Sequence, residues 1–245
     1  MKKYGKAIVF LAALLLVLTL MLLFNTLNFK SKQVIAEAVD PIPIRPQAVQ
    51  NFSKALTIET VSPEDPADFD STAFHAFSAF LEHAYPLADS ALEKKRFGAF
   101  SFLYRWEGSQ PDQAPIVLMA HLDVVPASEN DRKSWKAPPF GGIIREDTLW
   151  GRGALDDKIG VISMLEAVEF LVSDDFNPTR TIYLALGHDE ETGGFRGAAE
   201  IADFLKDQGV KAEFILDEGG AITQGMVPGT DAPVALIGIA EKGTL

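Results

Sequence analysis

From Ala7 to Phe24 the chain reads AIVFLAALLLVLTLMLLF, a run without a single charge. As a helix it would span roughly 27 Å, close to the ~30 Å of bilayer hydrocarbon, which predicts a membrane-crossing helix over 7–24 behind a short N-terminus, 1–6. The stretch 25–46 ends in PIPIRP, whose prolines withhold backbone donors and keep the chain extended, so it reads as a spacer. A folded domain is expected from Gln47 onward. Residues 47–60 read as a helix, and 72–84 carry Phe74, Phe77, Phe80 and Leu81 at helical spacing. Beyond them the pattern alternates. Apolar strand-like runs fall at 99–106, 115–122, 181–187, 212–217 and 233–240, with amphipathic helices at 158–172 (Ile159, Ile162, Leu165 and Val168 on one face) and 196–208. This predicts an α/β layered domain with helices on both faces of a mostly parallel or mixed sheet. Ligands in such folds gather at the carboxyl ends of the strands.

Charge sharpens the division. Lys2, Lys3 and Lys6 precede the apolar run, which favours a cytoplasmic N-terminus and an exported domain, although Lys30 and Lys32 on its far side weaken the asymmetry. A cleaved signal peptide needs a small-residue site just after the apolar core. Here Asn25-Thr26-Leu27-Asn28-Phe29 follow, and Ala36-Glu37-Ala38 lies far downstream, so an uncleaved single-pass anchor is favoured over a secreted form. The first 32 residues hold five lysines and no acid, so the rest is more acidic than the whole chain's net −12. Such a surface repels phosphate backbones and argues against nucleic acid as a partner. Cys is absent, which removes thiolate ligands and a cysteine nucleophile and leaves only His and carboxylates to bind a metal.

There is no G-x-S-x-G elbow, Walker loop or G-x-G-x-x-G fingerprint. The strand ends carry acids and one histidine instead. His121 and Asp123 end one strand, Glu190 and Glu191 follow another, Asp217 closes a third, and Asp156 sits in the loop GRGALDDK before a helix. Carboxylates crowded at one sheet edge repel each other, and a divalent cation relieves that conflict. In His-x-Asp the two side chains share a face of an extended strand, so the histidine can bind a metal while the carboxylate orients it. Adjacent glutamates can divide the roles of ligand and proton carrier. His75 and His83 ride on a core-facing helix with no carboxylate at ligand spacing and read as surface or boundary residues.

Five segments taken in order, His121-Leu122-Asp123-Val124-Val125-Pro126, Trp135 with Pro138-Pro139-Phe140, Gly151 to Lys158, Gly187 to Glu191 and Leu216 to Gly220, resemble the co-catalytic zinc peptidase and amidohydrolase family of aminoacylases, acetylornithine deacetylases and carboxypeptidase S. The likeness runs over residues 47–245, with the carboxypeptidase S branch most similar. It implies a zinc-exopeptidase-like catalytic domain over 47–240 that hydrolyses the amide bond of small peptides or N-acyl amino acids. By resemblance, Asp156 bridges two zinc ions, His121 and Asp217 complete one and Glu191 binds the other. Asp123 orients His121, and Glu190 is the general base. Asp157, Asp189 and Glu218 are expected to be neighbours rather than ligands, and His188 is likewise left out. Cobalt or manganese would also suit so oxygen-rich a set. The family takes a second histidine from a later segment, after a lid or dimerisation domain whose start residues 241–245 resemble. The four histidines here are His75, His83, His121 and His188. The expectation is therefore an incomplete form, weak or inactive by itself, with a homodimer possible for a full-length one. A non-catalytic, membrane-anchored binding module on the same fold is the alternative.

Overall fold

The computed structural model describes residues 2–30, 40–63 and 65–238. The segments Ala36-Glu37-Ala38 and 241–245 singled out above lie outside them. The chain divides into two compact units, Met1–Pro43 and Ile44–Leu245. In the first, helix α1 (Lys2–Leu27) keeps its apolar side chains exposed from Ile8 to Phe24. Its Thr19 hydroxyl donates to the Leu15 carbonyl (2.8 Å), so this polar group is satisfied within the helix. Gly5–Leu27 is long and apolar enough to cross a membrane, a test that a signal sequence also meets.

The second unit runs α2 (Pro46–Leu56), α3 (Ser71–Ala84), α4 (Pro86–Ala91), β1 (Glu93–Phe97), β2 (Ser101–Trp106), β3 (Ile116–His121), α5 (Glu129–Ser134), β4 (Ile143–Arg145), β5 (Thr148–Trp150), α6 (Lys158–Ser173), β6 (Ile182–Gly187), α7 (Ala198–Asp207), β7 (Phe214–Leu216), β8 (Ile222–Thr223) and β9 (Val234–Ala235). The main sheet has the order β1-β2-β6-β3-β7. β1, β2 and β6 pair antiparallel, whereas β3 runs parallel to both β6 and β7, so the sheet is mixed. Period-two alternation sends Phe102, Tyr104, Ala120, Leu184 and Leu186 to a face covered by Phe77, Leu81, Leu165 and Val168. Leu103, Val117 and Ala185 point the other way, onto Ile201 of α7.

Helix α6 is the hub of the larger core, and three of its charged residues are spent inside the protein. Lys158, with no exposure, donates to the carbonyls of Ala55 and Ile58 at the end of α2. The helix expected over 47–60 stops at Leu56, and this ammonium takes the Ala55 carbonyl in its last turn and the Ile58 carbonyl just beyond it. Glu166 accepts from Asn51 (2.9 Å) and Tyr85 (3.1 Å) and pairs with Arg45. Glu169, also buried, accepts the backbone N–H groups of Leu87 and Ala88 and so caps α4. Glu169→Ala is expected to cost about 1–3 kcal/mol, because it orphans those donors; a lower urea midpoint at unchanged slope is the measurement.

The strand expected over 233–240 narrows to Val234–Ala235, which pairs with β8 in a separate two-stranded sheet, and residues 239 and 240 fall outside the described ones. One main-sheet strand, β1, has no counterpart in the apolar pattern. Its sequence EKKRF buries only Phe97, and its cations lie over rings of its neighbours, Lys95 being 3.7 Å from the Phe204 centroid. A charged edge strand resists pairing with another chain.

Candidate metal centre

Three parallel strands deliver their carboxyl ends to one place. His121 ends β3 opposite Gly187 of β6, after which the chain enters His188-Asp189-Glu190-Glu191. β7 pairs with β3 in the register Leu118 to Leu216, so Asp217 and Glu218 leave the sheet beside the carboxyl-terminal half of β3. Asp156 arrives from the loop ahead of α6, joined by a cis peptide to Asp157, whose side chain accepts from Gly160 N–H (3.1 Å) and caps that helix.

The two nitrogens of buried His121 have separate surroundings. Nδ1 lies 3.0 Å from the Asp123 carbonyl and 3.4 Å from its Oδ1. Nε2 faces Asp156 Oδ1 at 2.9 Å, Glu218 Oε1 at 3.3 Å and Glu190 Oε2 at 3.9 Å. One donor atom each from His121, Asp156 and Glu218 lie within 4.8 Å of one another. An imidazole nitrogen and two carboxylate oxygens form a donor set suited to a divalent cation, so the residues present fit a metal.

The electrostatics point the same way. Burial works against a charged His121, but the bond and charge of Asp123, with Glu218 and Asp156, outweigh it and raise its pKa to about 10. Burial pushes Glu218 up to about 7, against the pull of His121 and with help from Asp157, Asp156 and Glu190. Glu190 and Glu191 are raised too, first by burial and then by their acidic neighbours. Burial alone would raise Asp123. Its bonds to His121, Ser62 and the Glu190 backbone hold it below the ordinary carboxylate range. These anions compete for one proton on one imidazole, a role a cation fills better.

Glu191 turns its Oε1 to the Val125 N–H (3.2 Å), and exposed Asp217 accepts from Glu218 N–H (2.9 Å). Neither belongs to the clustered triad, whereas Glu218, read from sequence as a bland neighbour, does. Asp217, Glu218, Glu190 and His121 do share one cleft of about 440 Å³ that continues between α7 and the sheet. His188 is not among the clustered donors. Its Nδ1 meets Ser101 Oγ at 2.6 Å, its ring stands edge-on to Phe74 and Phe100, and burial lowers its pKa. His75 packs against Phe100, and His83 is exposed on α3.

A histidine and acids gathered at the carboxyl edge of a mixed α/β sheet offer a divalent cation its ligands. Residues 117–233 match the model of peptidase family M20/M25/M40, and the chain carries a domain of that family. It is 40% identical to an N-fatty-acyl-amino acid synthase/hydrolase of Xenopus tropicalis, over 82% of this chain and 39% of that protein. It is 38% identical to a carboxypeptidase S-like protein of Dictyostelium discoideum (99% of this chain, 49% of the relative) and 39% identical to carboxypeptidase S of Saccharomyces cerevisiae (81% and 36%). The chain thus spans half or less of the length of these relatives. Among solved structures, human carnosine dipeptidase 1 superposes with a TM-score of 0.58 at 21% identity, covering 73% of this chain and 39% of that one. An M20 family metallo-carboxypeptidase of Sulfolobus solfataricus gives 0.56 at 17% identity, covering 73% and 38%. At such identities the likeness is one of fold.

Proposed function

We propose that this chain supplies the metal-binding catalytic domain of a hydrolase that cleaves the amide bond of small peptides or N-acyl amino acids. The observation that carries the reading is His121 Nε2 set among Asp156, Glu218 and Glu190, with its other nitrogen held by Asp123. His121, Asp156, Glu191 and Asp217 would hold two divalent cations, zinc by family resemblance, and Glu218 would lie against the same pair. When bound, such cations polarise a scissile carbonyl and make water acidic enough to be a nucleophile near neutral pH. Asp123, by accepting from Nδ1, fixes the tautomer that presents a lone pair at Nε2. Glu190 takes the proton of the attacking water and passes it to the leaving amine, a task its raised pKa suits. The cleft beside these residues receives the substrate. Upstream, α1 serves as a single-pass anchor, 25–46 as spacer and 47–240 as the catalytic domain on the extracytoplasmic side. The names of the relatives support both substrate classes.

Protein purified without chelator tests this directly. Zinc, cobalt and manganese per chain are counted, and release of free amino acid is followed from dipeptides and from N-acyl amino acids of graded chain length. Bound metal is the expected result, with any amide cleavage lost when the metal is chelated. Protein that arrives metal-free and takes up no added zinc rejects the proposal.

A further inference from the structure

The turn that bears Glu190 and Glu191 is held between two buried carboxylates. Asp123, with no exposure, accepts the backbone N–H of Glu190 (3.1 Å) and of Glu191 (3.2 Å). Asp189, 3% exposed, works from the other side. Its Oδ2 accepts Arg196 N–H (2.8 Å) and lies 3.9 Å from the Arg196 Nε. Its carbonyl accepts the N–H groups of Thr192 (3.2 Å) and Gly194 (2.7 Å) and the Thr192 hydroxyl (3.2 Å). One residue therefore stitches the start of segment 190–195 to its end. Gly193 and Gly194, at φ 102° and 69°, supply the tight return. Gly197 closes over the other carboxylate oxygen. A Cβ there would sit 2.5 Å from Asp189 Oδ1 and 2.6 Å from Ser101 Oγ.

The sheet does not need these bonds, since β6 ends at Gly187 and α7 begins at Ala198. As a contribution to stability alone the residue is a poor choice, because Oδ1 is buried without a partner and a half-satisfied buried carboxylate costs free energy. We infer that Asp189 is a positioning residue for the proposed metal site. It closes the 190–195 loop so that Glu190 and Glu191 are held beside the cluster, and it acts through the backbone. The inference rests on the proposed function.

The test uses the full chain in detergent, freed of metal by chelator and titrated with Co²⁺. Affinity is read by competition, coordination by the visible spectrum, and melting on the same samples. Asp189→Ala is expected to weaken Co²⁺ binding roughly 10- to 100-fold and to change the spectrum, the size seen when groups supporting metal ligands are removed. Asp189→Asn keeps an oxygen for Arg196 N–H and is expected to restore both. Gly197→Ala, whose methyl displaces Oδ1, is expected to behave as Asp189→Ala does. A merely structural role would lower melting and leave affinity and spectrum unchanged. That result in Asp189→Ala, or in Gly197→Ala where the first variant fails to fold, overturns the inference, as does Asp189→Asn behaving like Asp189→Ala. Wild-type chain that takes up no Co²⁺ sinks the proposed metal site and this inference with it, whereas normal wild-type uptake with unaltered variants sinks the inference alone.

Discussion

Glu190→Gln is expected to remove 10²- to 10⁴-fold from the rate of amide hydrolysis, the range contributed by a positioned general base, while metal content stays at the wild-type level. The argument rests on where the side chain stands. Glu190 Oε2 is 3.9 Å from His121 Nε2, beside the donor cluster without being one of its three members. Its side chain is about half exposed, so water and substrate can reach it. Burial raises its pKa, and the charges of Asp123, Asp156 and Asp217 add to this against the pull of His121, which brings the carboxyl closer to neutral working pH. A Gln keeps the shape and cannot take a proton. The backbone N–H of residue 190 still donates to Asp123, so the turn is retained. Turnover of an N-acyl amino acid, measured with metal stoichiometry on the same preparation, checks the prediction. Full activity in the variant would move the base elsewhere. Loss of metal together with activity would make Glu190 a ligand.

How far the site could be read from the sequence depended on how each residue is carried. His121, Asp123, Glu190 and Glu191 stand just beyond apolar runs, and the sheet brings those strand ends together, so period and punctuation were enough to place them on one edge. Glu218 was less legible. β7 ends at Leu216, so alternation no longer applies at 217 and 218, and the register Leu118 to Leu216 decides which acid meets His121. The charges of α6 were hidden for another reason. Helical periodicity treats Lys158, Glu166 and Glu169 as solvated, yet their partners, the ends of α2 and α4 and Tyr85, lie some 80 to 120 positions earlier in the chain. Such partners come only with the tertiary fold. β1 escaped because its stabilising contacts are cations over rings, which leave no apolar stripe.

The stability advantage of Zn²⁺-loaded over chelated protein is expected to grow as pH rises from about 6 to 9, because the chelated form loses what the His121 proton contributes. His121, raised from 6.5 to about 10, contributes stability that is complete below pH 6.5 and lost as pH climbs through 10, because the folded chain holds its proton more tightly than the unfolded one. Glu218, pushed up to about 7, has the same sign. Its share is complete below pH 4.5 and lost through pH 7. Lys158 acts in the opposite direction. Burial lowers its pKa to about 7, so the cost of charging it fades between pH 7 and 10.5. That term is common to chelated and zinc-loaded protein and cancels in their difference, which is the quantity to measure. A cation replaces the shared proton and favours the deprotonated ligands, so its stabilisation grows as pH rises. His121 is almost wholly buried, and its shift corresponds to a few kcal/mol. At about 2–4 °C per kcal/mol for a domain of this size, the melting gap between the two forms should widen by on the order of 10 °C between about pH 6 and 9. Melting curves that stay parallel over that range would mean that no cation takes over the His121 proton, and the carboxylates around it would then be a solvated cluster with no claim on metal.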